Sequence, residues 1–143
     1  MTVEHILRGK GRNVVTIEAN CTLSEAARTL AEQRIGALIV SDAFRPVLGI
    51  ISERDIVMAI AARGPAALDE PVARSMTQKV ETCTGESGIN EVMEMMTRGK
   101  FRHVPVVEGG RLVGIVSIGD IVKHRLAEVE AETQAMRDYI ATA

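Results

Sequence analysis

The chain has 143 residues, with 17 Lys plus Arg against 19 Asp plus Glu and a formal net charge of −2. That length holds one ordinary domain or two very small ones in tandem, and the balanced charge excludes a polyanion binder that relies on bulk attraction. Only three aromatics (Phe44, Phe101, Tyr139) accompany a 46% hydrophobic fraction, so the core must be aliphatic and a base-stacking platform for single-stranded nucleic acid is excluded.

No run of residues approaches the ~18 apolar positions of a membrane span, and charges interrupt Met1–Lys10, so neither membrane insertion nor a signal peptide is expected. Cys21 and Cys83 form no C-x-x-C, and His5, His103 and His124 lie far apart, so no metal site is expected. Two lone cysteines point to small core fillers in a reduced, cytoplasmic compartment.

In chain order, residues 1–11 form an N-terminal segment. Gly9-Lys-Gly-Arg12 is basic and glycine-rich but lacks the spacing of a P-loop, and it reads as a flexible loop, with phosphate support as the second reading. A first repeat follows over residues 12–63, opening with a strand at Val14–Ile17. Thr22-Leu-Ser-Glu25 has the form of a capping box. Behind it Leu23, Ala26, Ala27, Leu30 and Ala31 make one apolar helical face. Two short strands then flank a turn at Asp42–Pro46, and a second helix starts at Ser52. Residues 64–76, with Gly64, Pro65 and Pro71, read as a linker.

A second repeat spans 77–127: a strand at Val80–Cys83, a helix with Ile89, Val92, Met93 and Met96 on its apolar face, two strands around Glu108-Gly-Gly-Arg111, and a helix from Ser117. Met93, Met95 and Met96 read as core filling rather than an adaptable binding surface. Residues 128–143 extend the last helix. Val122, Leu126, Val129, Thr133, Met136 and Ile140 are spaced 4, 3, 4, 3 and 4 residues apart, a heptad-like stripe. Short, and broken by a threonine, it does not predict an independent coiled coil. A stripe of this length needs either association or back-packing on its own chain.

The two halves are a tandem duplication. Val47-Leu-Gly-Ile-Ile-Ser-Glu-Arg-Asp-Ile-Val57 aligns with Leu112-Val-Gly-Ile-Val-Ser-Ile-Gly-Asp-Ile-Val122 at an offset of 65, with six of eleven positions identical. Upstream the offset is 66, and the change falls in the Asp42–Pro46 turn, where a length difference is cheap. A unit of about 50 residues buries too little core alone. Two such units packed sheet against sheet bury enough and leave clefts between them.

Gly49-Ile-Ile-Ser-x-x-Asp55, Gly114-Ile-Val-Ser-x-x-Asp120 and Phe101-Arg-His-Val-Pro-Val106 resemble the cystathionine-beta-synthase (CBS) domain, and two in tandem resemble a Bateman module. The resemblance covers about residues 12–127. It implies an α/β (α+β) fold of two β-α-β-β-α repeats related by pseudo-two-fold symmetry, here with a C-terminal helical extension. It also implies adenosine-containing ligands (AMP, ADP, ATP or NAD) in the clefts, a stand-alone regulatory role and flat homodimers, with the C-terminal stripe expected to pack across such a dimer or onto the partner's repeat.

Physical chemistry supports particular positions. Ser52 and Ser117 stand at helix N-termini, with Asp55 and Asp120 three residues on. Each pair reads as a helix cap, as ribose-hydroxyl ligands, or as both. Arg102 and His103 suit a phosphate, through a guanidinium fork and a protonated imidazole, or form a solvated surface pair. Small Gly36 and Ala37 admit a flat base. By resemblance, one cleft joins Val14, Ile35, Gly36 and Ala37 to Ser117, Gly119 and Asp120, and the other joins Thr77, Lys79, Val80, Arg102 and His103 to Ser52, Arg54 and Asp55. Pro105 fits the family's second-strand pattern, or serves only as an edge residue. Glu53 and Arg54 face Ile118 and Gly119 in the alignment, so the two clefts are not equivalent. No nucleophile or metal set accompanies these groups, so catalysis is not expected. A regulated protein partner is open, and a scaffold with vestigial clefts is the alternative.

Overall fold

A computed structural model describes residues 1–142, so Ala143, the last residue of the expected extension, lies outside the described residues. The first repeat contains β1 (Thr16–Ile17), α2 (Leu23–Gln33), β2 (Ala37–Val40), β3 (Gly49–Ser52) and α3 (Glu53–Arg63). In its sheet, ordered β1-β2-β3, β1 runs parallel and β3 antiparallel to β2. The second repeat contains α5 (Ile89–Gly99), the antiparallel pair β4 (His103–Glu108) and β5 (Arg111–Ser117), and α6 (Ile118–Thr142). Gly109 and Gly110 both have positive φ (57° and 76°), as a two-residue turn matching strand twist requires.

Helices α2 and α5 form where the pattern places them, and each buries most of the apolar face read from the sequence. Leu23, Ala26 and Leu30 of α2 join one core, and Ile89, Val92 and Met96 of α5 join another. Ala31, at the end of the α2 stripe, is exposed. The Thr22 hydroxyl accepts from the Glu25 N–H at 3.1 Å, but no return bond from Glu25 forms, so the expected box is half made. Cys83 is buried and Cys21 half-buried, both free thiols; burial pushes Cys83 up to about 11, which leaves it an inert filler.

The strand expected at Val80–Cys83 shrinks to a single bridge, Cys83 to Val106. In the first repeat the Ile39 N–H donates to the Val15 carbonyl at 3.3 Å. The equivalent residue in the second repeat is Pro105, which has no N–H to donate to Glu81. Pairing therefore begins only at Cys83, whose N–H donates to the Pro105 carbonyl at 3.0 Å.

Two segments read as peripheral are part of the cores. Residues 3–10 form a helix, α1 (Val3–Lys10), with Val3, Ile6 and Leu7 buried in the second repeat's cluster. Gly9 and Lys10 are therefore helical, not a flexible loop, and Gly11 (φ 99°) ends the helix. The expected linker holds a 3₁₀ turn (Pro65–Asp69) and α4 (Val72–Ser75), with Ala67 and Val72 buried in the first repeat's cluster. Each repeat is thus completed by the segment that precedes the other one. This packing explains the glycine of the repeated Gly-Ile-x-Ser motif. A Cβ at Gly49 would stand 2.7 Å from the Thr77 carbonyl oxygen, and one at Gly114 would stand 2.7 Å from Leu7 Cδ2.

Candidate functional site

Where β3 and β5 end, a helix begins at once. The Asp55 N–H donates to Ser52 Oγ (3.2 Å), while the Ser52 N–H and hydroxyl donate to Asp55 Oδ2 at 2.9 and 3.0 Å. At α6 the same box joins Asp120 N–H to Ser117 Oγ (3.1 Å) and Ser117 N–H to Asp120 Oδ2 (2.9 Å). The capping role is therefore made in both copies. It occupies one carboxylate oxygen, and Oδ1 of Asp55 and of Asp120 has no hydrogen-bond partner among the described residues. The first helical N–H of each, Glu53 and Ile118, donates to the carbonyl of Gly36 (3.0 Å) and Arg102 (2.9 Å). This bond ties each helix start to the start of its neighbouring strand.

A cleft of about 600 Å³ opens between the repeats at the α3 N-terminus. It is lined by Ser52, Arg54, Asp55, Thr77, Lys79, Val80, Arg102 and His103, the whole of one expected group, and by Gly36, Ser117 and Gly119 from the other. Thr77 is held there by its backbone, which exchanges two hydrogen bonds with Ile50 on the outer edge of β3 (2.9 and 3.0 Å). Val14, Ile35, Ala37, Pro105 and Asp120 do not line this cleft.

Six further lining residues were not singled out: Ile50, Glu53, Glu81, Lys100, Phe101 and Ile118. All but Ile50 and Lys100 flank a residue that was, and Lys100 is set by its left-handed φ of 57° at the end of α5. The walls divide into an apolar part (Ile50, Val80, Phe101, Ile118) and a charged part. Arg54, Lys79, Lys100 and Arg102 share the cleft with Glu53, Asp55 and Glu81, and none of the four cations is in an ion pair among the described residues.

His103 crosses to the other repeat and packs its ring edge over Gly36; a Cβ at Gly36 would stand 3.4 Å from His103 Cε1. Burial pushes the imidazole below its ordinary value, only partly opposed by the nearby Asp120 charge. Burial thus disfavours the protonated form on which the expected phosphate contact depends.

The Asp120 side is built differently. Lys10 Nζ, at the end of α1, donates to Asp120 Oδ2 at 2.7 Å and to the Ile115 carbonyl at 2.9 Å. The equivalent carbonyl in the first repeat, Ile50, accepts instead from the Thr77 backbone. An ammonium thus replaces a peptide N–H, and it lands on the carboxylate. Burial pushes the Asp120 carboxyl up, but the bonds from Lys10 and Ser117 outweigh this and hold it below its ordinary value. The non-equivalence read from Glu53-Arg54 against Ile118-Gly119 has a second source in Lys10.

Known proteins share this arrangement. The protein is similar in structure to the CBS-domain containing protein ATU1752 from Agrobacterium tumefaciens, with a TM-score of 0.85 and 50% identity over 87% of this chain and 99% of that one. It is similar to the CBS domain protein PAE2072 from Pyrobaculum aerophilum complexed with AMP, with a TM-score of 0.78 and 31% identity over 93% of this chain and 99% of that one. It also resembles the CBS domain pair of MJ0100 in complex with 5′-methylthioadenosine and S-adenosyl-L-methionine, with a TM-score of 0.80 and 28% identity over 90% of this chain and 98% of that one. The chain spans 66% of the length of a curated relative from Acidianus ambivalens and 71% of one from Arabidopsis thaliana. The CBS domain family model matches residues 3–62 and 72–127, so each match reaches one of the duplicated units. With its duplicated fold, its paired Ser-x-x-Asp caps and these matches, the chain belongs to the CBS domain family as a tandem pair.

Proposed function

We propose that this protein is a regulatory module that binds one phosphate-bearing adenosine nucleotide per chain, of the AMP, ADP, ATP or NAD class, in the Asp55 cleft. The observation that carries this reading is the composition of that cleft: a carboxylate with a free oxygen together with four cations that have no ion-pair partner among the described residues. Asp55 Oδ1 accepts from the ribose hydroxyls, the apolar wall of Ile50, Val80, Phe101 and Ile118 receives the base, and Arg102 with Lys79 or Lys100 holds phosphate. Neutral His103 contributes a neutral hydrogen bond or ring contact beside Gly36. PAE2072 holds AMP and MJ0100 holds two sulfur-containing adenosine compounds. The excess of cations here favours an anionic ligand over one bearing a sulfonium.

The Asp120 cleft stays without ligand, because Lys10 already compensates its carboxylate. In this reading the protein acts in the cytoplasm without catalysis, by changing its contacts with a partner protein, and it assembles as a homodimer. Native mass spectrometry of freshly purified protein tests the ligand: one nucleotide-sized adduct per chain is expected. Absence of any adduct, with no response to AMP, ATP or NAD in calorimetry, would leave association alone as the function.

Arg102 separates phosphate from base recognition. Arg102→Ala should weaken AMP by about 1.5–3 kcal/mol, a charged hydrogen bond's worth, and leave adenosine nearly unchanged. Calorimetric titration of both ligands measures the difference, and equal losses would remove Arg102 from the phosphate site.

Assembly is tested by light scattering on full-length protein and on a chain ending at Ala127. A dimer that dissociates on truncation is expected. A full-length monomer overturns the homodimer, and a dimer indifferent to truncation removes the tail as its cause.

A further inference from the structure

The helix α6 runs unbroken for 25 residues, and from Val129 onward every described residue is exposed. Its apolar stripe is not packed on its own chain: Val122, Leu126, Val129, Met136 and Ile140 are 51–66% exposed. The alternative of back-packing is thereby removed, and a stripe of this length needs a cover.

We infer that the α6 tails of two chains pair in parallel and in register, as a short two-stranded coil along the two-fold axis of the homodimer. This rests on the homodimer of the proposed function and adds to it the partner surface and its direction. In heptad terms Leu126, Thr133 and Ile140 are a positions, and Val122, Val129 and Met136 are d positions. Thr133 and Ile140 are β-branched at a, which two-stranded parallel coils favour, whereas valine in place of leucine at d weakens the seam. The seam alone does not decide direction.

Charge does. The g positions are Arg125 and Glu132, and the e positions five residues on are Glu130 and Arg137. Parallel pairing sets Arg125 against the partner's Glu130, and Glu132 against the partner's Arg137, all opposite in sign. Antiparallel pairing that keeps the same apolar layers sets Glu130 against the partner's Glu130, Glu132 against the partner's Glu132, and Lys123 against the partner's Arg137. Each of those is a like-charge contact. Within the chain, none of Arg125, Glu130, Glu132 and Arg137 is in an ion pair among the described residues, so all four are free to pair across the seam. The stripe is only about 27 Å long, too short to hold two chains unaided, and the folded repeats supply the rest of the contact.

Ile140→Cys on the full chain provides the test, with mild oxidation, mapping of the linked peptide by mass spectrometry, and light scattering in parallel. Ile140 is exposed near the free end of the helix, so the substitution leaves the fold alone. In the parallel pair residue 140 meets its own copy, and a link between the two introduced thiols is expected; in the antiparallel pair residue 140 meets Val122 and no such link forms. Reversing Arg125 and Arg137 to Glu should weaken the dimer by about tenfold or more, and reversing Glu130 and Glu132 to Arg in that background should restore it. A dimer without the link, a dimer indifferent to the reversals, or a tetramer overturns the parallel tail pair. A monomer overturns the homodimer itself.

Discussion

Replacing Leu7 by alanine should lower the stability of the protein by about 2–5 kcal/mol, the cost of emptying a fully buried leucine site. Leu7 is 1% exposed and packs with Val3 and Ile6 among Val104, Val106, Val116 and Ile121 of the second repeat. Its Cδ2 fills the space that Gly114 leaves, so neither neighbour can close the cavity without moving β5. Urea denaturation followed by circular dichroism measures the loss. A change under about 0.5 kcal/mol, the size of an ordinary surface substitution, would show that α1 is an appendage and not a part of the second repeat. Because Lys10 is carried by the same helix, the substitution should also loosen the Lys10–Asp120 contact.

Asp55→Ala should weaken nucleotide binding by about 1.5–3 kcal/mol, or roughly 10- to 150-fold, whereas Asp120→Ala should change it little. The two carboxylates are indistinguishable in their motifs and in their caps. They differ in what stands on them: both keep Oδ1 free, but Asp55 lines the cleft with no cation bonded to it, and Asp120 Oδ2 carries the Lys10 ammonium. Removing Asp55 also removes half of a capping box, worth about 1 kcal/mol of stability. Asp55→Asn, which still has a carbonyl oxygen for the Ser52 N–H, separates that loss from the loss of ligand. Isothermal titration of AMP into all three variants decides the matter; equal losses for Asp55→Ala and Asp120→Ala would mean that both clefts bind.

The Asp55 cleft was legible only through the family resemblance, but the duplication, the apolar faces of α2 and α5, the caps at Ser52 and Ser117 and the Gly109-Gly110 hairpin were legible in the residues themselves. They rest on short-range rules: a 3.6-residue period, a three-residue spacing between cap and carboxylate, and a turn that only certain residues adopt. Once those units are in place, the duplication brings the start of one repeat's strands to the other's helix N-terminus. Gly49 and Gly114 were visible as a motif, but their reason was not, because the atoms they make room for belong to segments 28 and 107 residues away. The missing strand at Val80–Cys83 follows from Pro105, whose absent N–H matters only once the two segments are paired.

What the tertiary structure alone decided is what stands on each of the two carboxylates. Lys10 and Asp120 are separated by 110 residues. Their contact follows from where the buried face of α1 docks, and such a contact leaves no periodic or spacing signature in the chain. A lysine beside two glycines reads locally as a loop. Fixed by Val3, Ile6 and Leu7 against the second repeat, the same lysine reaches Asp120, and two copies of one motif acquire different surroundings.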